Sequence, residues 1–436
     1  MITNGRKYIV PFLLIGGAVF PCLHASPRAD SSLTVTKIVI VGNETTKEQV
    51  ILREMSNKVG SPLDVAALER DQKRIYSLQL FNKVDVSNTA EGREATIVVV
   101  VSERWYIFPF PIIGFKYHDI KNVFYGAGLI HQNFRGRNEK LMAAGALGFD
   151  PWLNLSYQNP TLTDDDDLFL RVQLSFSHMR NQNTSQGEYD QQILSGNASF
   201  GKRFGLFTTL TGLVGYEEWK VDDTQLGRTL SPDGKDHYVV MSGGVVYDKR
   251  DLREYPLDGE FFSFYATKYG LGESNVDLFR YQVDMREYQP LGSDISVGVR
   301  GFGSFLSGGL SPSYLHSYFG YFDRIRGYYS TVLEGEDQLG GSAELRLAVF
   351  KPRYLTVSLP GLPPEFSVWR YGLYAAVFAD AGTTWYRTDS FANIPWYTGY
   401  GAGLHFLLPY SFVLRTEYAF NQHGLGEFIF GFHASF

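Results

Sequence analysis

A chain of 436 residues is long enough for one large domain and one small one, and 15% of it is aromatic. Although 44% is hydrophobic, after the N-terminus no uninterrupted apolar run reaches the ~20 residues that a helix needs to cross a bilayer, which argues against a helical membrane protein. The formal net charge is −6 and the one cysteine is Cys22, so neither nucleic-acid binding nor a disulfide framework is expected.

Residues 1–25 read as a secretory signal. Arg6 and Lys7 make the basic start, residues 8–20 a short apolar stretch, and Leu23-His24-Ala25 a cleavage site, with Ala29 as a second candidate. The stretch is too short for an anchor and is broken by Pro11 and a glycine pair. Val19-Phe20-Pro21 lacks the small residues that precede a lipidated cysteine. Cleavage removes Cys22, and losing Arg6 and Lys7 takes the charge from −6 to −8.

Residues 33–103 predict a small α/β module. The β-branched run 35–41 is a strand ended by Gly42-Asn43. Thr45 followed by Glu48 has the spacing of a capping box, predicting a helix to about Met55. Gly60-Ser61-Pro62 breaks it. In a second helix Val65, Leu68, Ile75 and Leu78 share one face. Residues 83–86 and 96–101 are strands joined by a polar turn around Gly92.

From Trp105 onward alternation replaces the helical period, punctuated by Gly, Asn, Asp and Pro about every ten residues. In the last segment Phe428, Phe430, Phe432, Ala434 and Phe436 fall on one face, and Glu427, Ile429, Gly431, His433 and Ser435 on the other. Phe412, Leu414, Thr416, Tyr418 and Phe420 repeat the pattern around Arg415 and Glu417, as do Leu345, Leu347 and Val349 around Glu344 and Arg346. One face suits lipid and the other a lumen. Residues 105–436 divide into about sixteen such segments, an even number as a bacterial barrel requires. The expected fold is mainly β: a sixteen-stranded antiparallel transmembrane β-barrel after one small α/β domain. Even-to-odd connections should be short and periplasmic. Odd-to-even ones are external and include the long stretches 308–337 and 388–397.

No enzyme, cofactor or metal chemistry is expected. Gly196-Asn197-Ala198-Ser199-Phe200-Gly201-Lys202 has phosphate-loop spacing, but Arg203 replaces the Ser/Thr and the stretch alternates like a strand. Residues 164–167, all aspartate, lack the spaced ligands of a calcium loop. The histidines lack metalloprotease spacing, and no Gly-x-Ser-x-Gly elbow occurs.

Two resemblances add to this reading. With Gly42-Asn43, Val50-Ile51-Leu52-Arg53-Glu54, Leu80-Phe81-Asn82-Lys83-Val84 and a closing strand ending at Glu103, residues 38–103 resemble a POTRA domain. The remainder carries Ile325-Arg326-Gly327-Tyr328 in a long loop, Phe378-Ala379-Asp380-Ala381-Gly382 in a following strand, and Glu344 between them. Tyr247-Asp248-Lys249-Arg250-Asp251 with Pro256 and Gly259 looks like a periplasmic turn, and Asn133-Phe134 and Asn159-Pro160 like opening hairpins. In that order they resemble the outer-membrane assembly superfamily of BamA- and TamA-like factors. A single POTRA copy and Ala434, where an aromatic is common, depart from the pattern.

The resemblance implies a protein of the bacterial outer membrane, with its POTRA domain in the periplasm, that assembles or inserts other barrels. Its partners would be outer-membrane lipid, unfolded outer-membrane protein clients and periplasmic accessory proteins. POTRA edges would capture extended segments, and a lateral seam would template strands. Pro109 and Pro111 would pair poorly at that seam, or mark a linker ahead of the first strand. A two-partner secretion pore and a passive surface antigen or channel are the alternatives. The resemblance also implies a lock inside the barrel. Arg326 would pair with Asp380, Glu344 would be a second acceptor, Gly327 would permit a tight turn and Tyr328 would pack beneath the arginine. Strand parity places Asp380 and Phe378 on one face and Val377, Ala379 and Ala381 on the other. Phe436 would end the C-terminal membrane signal.

Overall fold

The small domain grows from its β-branched runs, which form β1 (Thr34–Val41), β2 (Phe81–Glu91) and β3 (Glu94–Glu103), with α1 (Glu48–Leu52) and α2 (Val65–Tyr76) between the first two. The sheet order is β1-β3-β2, with β1 parallel to β3 and β2 antiparallel to it. Ile51, Met55, Leu68, Ile75, Ile97 and Val99 fill the core between sheet and helices. The computed structural model describes residues 33–115, 121–163, 166–181, 186–271, 275–357, 360 and 363–432. The predicted signal at 1–25 and the terminal residues Ala434 and Phe436 lie outside them.

Two local expectations are corrected. The capping box does not form: α1 starts after Lys47 without a side-chain cap. The amides of Thr45 and Thr46 instead donate to the Glu103 carboxylate, at 3.1 and 2.7 Å. A distant acceptor has replaced the local one, and α1 ends at Leu52, short of Met55. The second helix is capped by Asp64, whose carboxylate accepts the Ala67 amide at 3.1 Å. Val65 therefore sits in the first turn and faces solvent, and Leu78 lies beyond the helix end.

Three residues after β3 the chain enters a sixteen-stranded sheet. Its first half is β4 (Ile107–Phe115), β5 (Val123–Phe134), β6 (Glu139–Gly148), β7 (Trp152–Asn159), β8 (Leu168–Arg180), β9 (Asp190–Phe204), β10 (Thr208–Val221) and β11 (Lys235–Asp248). Then follow β12 (Gly259–Leu271), β13 (Leu278–Pro290) and β14 (Ile295–Gly308). The long external loop carries a small ribbon, β15 (Ser317–Phe319) paired with β16 (Leu333–Gly335). The sheet resumes with β17 (Asp337–Thr356), β18 (Val368–Trp385), β19 (Tyr397–Leu408), β20 (Phe412–Asn421) and β21 (Gly426–Phe432). Each of the predicted segments has its strand, and the prolines of β4 lie within it, paired to β5, and not in a linker.

Alternation does what the sequence pattern predicts. Leu345 and Leu347 point outward and are exposed, while their neighbours Glu344 and Arg346 are fully buried inside. Strand pairs run antiparallel in chain order from β4 to β21 around the sheet. Among the described residues, no ladder joins β4 to β21.

The small domain docks on the turns at the barrel's near end. The Lys47 amide donates to Gly136 at 2.9 Å. Arg53 donates to the Pro160 carbonyl at 3.1 Å and to Asp167 at 3.0 Å. Arg203, at the end of β9, forks onto the Glu54 carboxylate at 2.5 and 2.8 Å. Arg104 reaches Ser411 at 3.0 Å. Leu252, from the turn after β11, enters the small domain's own core.

Burial alone would raise the pKa of Glu54, but the hydrogen bonds and charge of Arg203 outweigh it and hold the carboxyl below its ordinary 4.5. A depressed pKa stabilises the docked state above the free value and loses that contribution as pH falls through the docked one. Docking is therefore expected to loosen between about pH 4.5 and more acidic values, read as faster hydrogen exchange in residues 47–55. Glu54→Gln should flatten that response; an unchanged profile would remove Glu54 from the clamp.

Candidate functional site

Strand register assembles the site. Glu344 of β17 stands opposite Phe378 of β18, and Phe378 opposite Gly401 of β19. Gly403 of β19 stands opposite Glu417 of β20. Odd or even parity turns Glu344, Arg346, Phe378, Asp380, His405 and Glu417 into the lumen, where all are buried. The external loop descends to meet them. Ile325 packs with Phe302, Phe319 and Leu333 in an apolar cluster that fixes the loop just before its arginine.

Arg326 then fills the gap between the strands. Its Nε and Nη2 donate to the two Asp380 oxygens at 2.8 and 2.7 Å, a fork that only a guanidinium makes. Its Nη1 donates to Glu344 at 2.7 Å and to Glu417 at 3.1 Å. The Arg326 amide also donates to Asp380, at 3.0 Å. Gly327 takes φ of +100°, where a side chain would be strained and a Cβ would lie 2.7 Å from the Phe420 carbonyl. Its amide and that of Tyr329 donate to Glu427 at 2.8 and 2.7 Å.

The structure thus places Arg326, Gly327, Asp380 and Glu344 together. Tyr328 stands apart from the role expected of it. The ring beneath the guanidinium is Phe378, at 3.6 Å, because its inward parity puts it under the Asp380 fork. Tyr328 packs edge-on against Tyr397 instead.

The network continues toward the other end of the barrel. Arg346 donates to Glu344 at 2.6 Å and to the carbonyl of Pro256, in the turn after β11, at 2.6 Å. Its guanidinium lies 4.5 Å from the Tyr255 ring. The Tyr255 hydroxyl meets His405 Nδ1 at 2.8 Å, and His405 Nε2 meets Glu417 at 3.1 Å. Arg415 reaches the second oxygen of Glu417 at 3.1 Å. Three guanidiniums (Arg326, Arg346 and Arg415) thus offset three carboxylates (Asp380, Glu344 and Glu417).

Glu344, His405 and Glu417 bring ligand atoms within 4.8 Å of one another, close enough to ask whether they suit a metal ion. They do not fit one. Each carboxylate already accepts from guanidiniums on both its oxygens, so a cation would meet three fixed positive charges. The same saturation leaves none of these carboxylates free to act as a base. Of the stretches set aside earlier, residues 196–202 lie within β9, and Asp167 bonds Arg53. Asp164 and Asp165 lie outside the described residues.

Sequence reasoning missed Glu417, His405, Arg346 and Tyr255 as members of the site. Parity already marked Glu417 and Arg346 as inward charges. Nothing local marks Tyr255, which belongs to a turn.

Comparisons with known proteins follow the same division. Residues 133–436 match the Omp85 superfamily domain, and residues 33–104 the POTRA-type surface antigen variable number repeat. The outer membrane protein assembly factor BamA of Nitratidesulfovibrio vulgaris is 24% identical over 387 residues, covering 85% of this chain and 46% of that protein. The chain thus spans less than half the length of that relative. Among solved structures, BamA of Haemophilus ducreyi lacking POTRA domains 1–3 superposes with a TM-score of 0.55 at 18% identity, covering 92% of this chain and 83% of that one. CdiB of Escherichia coli gives a TM-score of 0.57 at 10% identity, covering 92% and 76%.

Proposed function

The chain belongs to the Omp85 superfamily, and we propose that it assembles β-barrel proteins into the outer membrane, where its barrel sits with the POTRA domain on the periplasmic side. The observation that carries this reading is the sheet order: β4 and β21 are the two ends of the sixteen-stranded sheet, and no ladder joins them among the described residues. In lipid every backbone N–H and C=O must find a partner, so an unpaired seam is an edge on which an extended polypeptide can be completed. POTRA strand edges would deliver such segments by backbone hydrogen bonds that tolerate many sequences. Within the lumen cluster Asp380, Glu344 and Glu417 are each paired with a guanidinium, which suits a structural role for them. Accessory proteins would dock on the POTRA domain.

The test is reconstitution of the full chain in liposomes, followed by dilution of a urea-unfolded outer-membrane barrel onto them. Folding of the client should accelerate by about tenfold over empty liposomes, corresponding to ~1.4 kcal/mol of barrier. Deleting residues 26–103 should leave a barrel that inserts but no longer accelerates its client. Passage of unfolded polypeptide into the liposome without barrel formation would mark a secretion pore instead. Full acceleration by the truncated chain would remove strand capture from the mechanism.

A further inference from the structure

A cavity of about 580 Å³ opens at the joint between the small domain and the barrel. Glu44 and Glu103 of the POTRA domain line it, with Trp105 just before β4, Ile107 in β4, His131 in β5 and Glu365 in the turn between β17 and β18. Parity fixes the side on which it lies. Tyr125 and Leu129 of β5 are exposed on the lipid-facing wall, as is Ile107 of β4. His131 continues the row of Tyr125 and Leu129 and stands opposite Ile107 in the ladder. The cavity thus begins where the apolar wall ends, at the periplasmic rim, which is the depth of phospholipid headgroups. Trp105 is exposed there and adds an aromatic ring of the kind that favours a membrane–water interface.

Two polar atoms of these walls are left over. His131 Nδ1 and Glu365 Oε2 are buried without a hydrogen-bond partner among the described residues. Leaving such atoms unsatisfied is costly, most of all for a carboxylate. Glu103 differs, since its two oxygens already accept from the amides of Thr45 and Thr46. Arg104, the fixed cation of the lining, is turned to the Phe81 carbonyl and the Ser411 hydroxyl. Three carboxylates therefore meet any occupant, which disfavours a headgroup with negative charge alone. A choline headgroup has no N–H to give. An ethanolamine headgroup supplies both missing partners: its ammonium has three donors, one of them for Glu365 Oε2, and its phosphate accepts from a ring N–H at His131 Nδ1.

We propose that this cavity holds the headgroup of a phosphatidylethanolamine from the periplasmic leaflet, with the ammonium on Glu365 and the phosphate on His131. The lipid is then gripped by the POTRA domain and the barrel together, which ties their joint to the leaflet surface. The inference needs only the barrel in its membrane, and it stands whether or not the chain assembles other barrels.

Two measurements on the full chain test this. In the first, the protein in detergent is given phosphatidylethanolamine, phosphatidylcholine or phosphatidylglycerol with the same acyl chains, and retained lipid is counted by native mass spectrometry. Phosphatidylethanolamine should be retained about tenfold better than either of the others. Glu365→Gln and His131→Ala should each remove most of that preference. Leu194→Ala, on the lipid-facing wall at β9, should leave it unchanged. The second measurement keeps Glu365 and His131. A photo-crosslinking residue replaces Thr45, which also lines the cavity, in liposomes of phosphatidylethanolamine and phosphatidylcholine in equal parts. Adducts with phosphatidylethanolamine should exceed those with phosphatidylcholine by about tenfold. Equal retention or equal labelling of the two overturns the proposal, as does a preference for phosphatidylglycerol. A preference that survives both Glu365→Gln and His131→Ala overturns it too. If either variant fails to fold, the labelling from position 45 decides.

Discussion

Replacing Arg326 with alanine should destabilise the barrel by about 3–5 kcal/mol and release the external loop to proteases added outside. The size follows from burial. Arg326 is 5% exposed, and its removal leaves Asp380, Glu344 and Glu417 facing one another with one cation fewer. Arg326→Lys should recover only part of the loss, because an ammonium keeps the charge but cannot fork onto both Asp380 oxygens. The swap Arg326→Asp with Asp380→Arg should also recover part. A double-mutant cycle with Asp380→Ala, read by thermal unfolding in detergent, should give a coupling of roughly 1–3 kcal/mol. Simple additivity would make Arg326 an ordinary loop charge.

Glu344→Gln should be at least as damaging, because one carboxylate serves two guanidiniums, Arg346 at 2.6 Å and Arg326 at 2.7 Å. The amide leaves three cations, two of them buried, against two anions, at a cost of about 3–5 kcal/mol. The companion change Arg346→Met removes the surplus charge, and the pair Glu344→Gln with Arg346→Met should regain roughly half of the loss. Urea unfolding of the three variants checks this. A loss below about 1 kcal/mol for Glu344→Gln alone would mean that water already solvates the cluster.

The fold was legible because membrane strands advertise themselves. Leu345 and Leu347 must meet lipid and Glu344 and Arg346 must not, so the period survives in the sequence without any tertiary information. The docking of the loop arginine on Asp380 and Glu344 was legible from motif and parity together. What the sequence hid were choices settled by distance in space. The capping box at Thr45 lost its amide to Glu103, far along the chain. Phe378 displaced Tyr328 from beneath the arginine because Gly401, opposite it, leaves room for its ring. Tyr255 joined the network from a turn, where no periodicity exists to mark it.

The passage from β3 to β4 has a mechanical consequence. Only Arg104, Trp105 and Tyr106 separate Glu103 from Ile107, a reach of roughly 14 Å at full extension. Two of the three are pinned. Arg104 is buried and donates to the Phe81 carbonyl at 2.7 Å, and the Tyr106 hydroxyl lies 3.0 Å from that of Thr46. The join has no slack, so it acts as a rigid crank and not as a tether. Any rotation of the POTRA domain about the barrel mouth is therefore passed as torque to β4, the barrel strand with which it is covalently continuous. A load taken up in the periplasm is thereby passed to the first strand of the sheet.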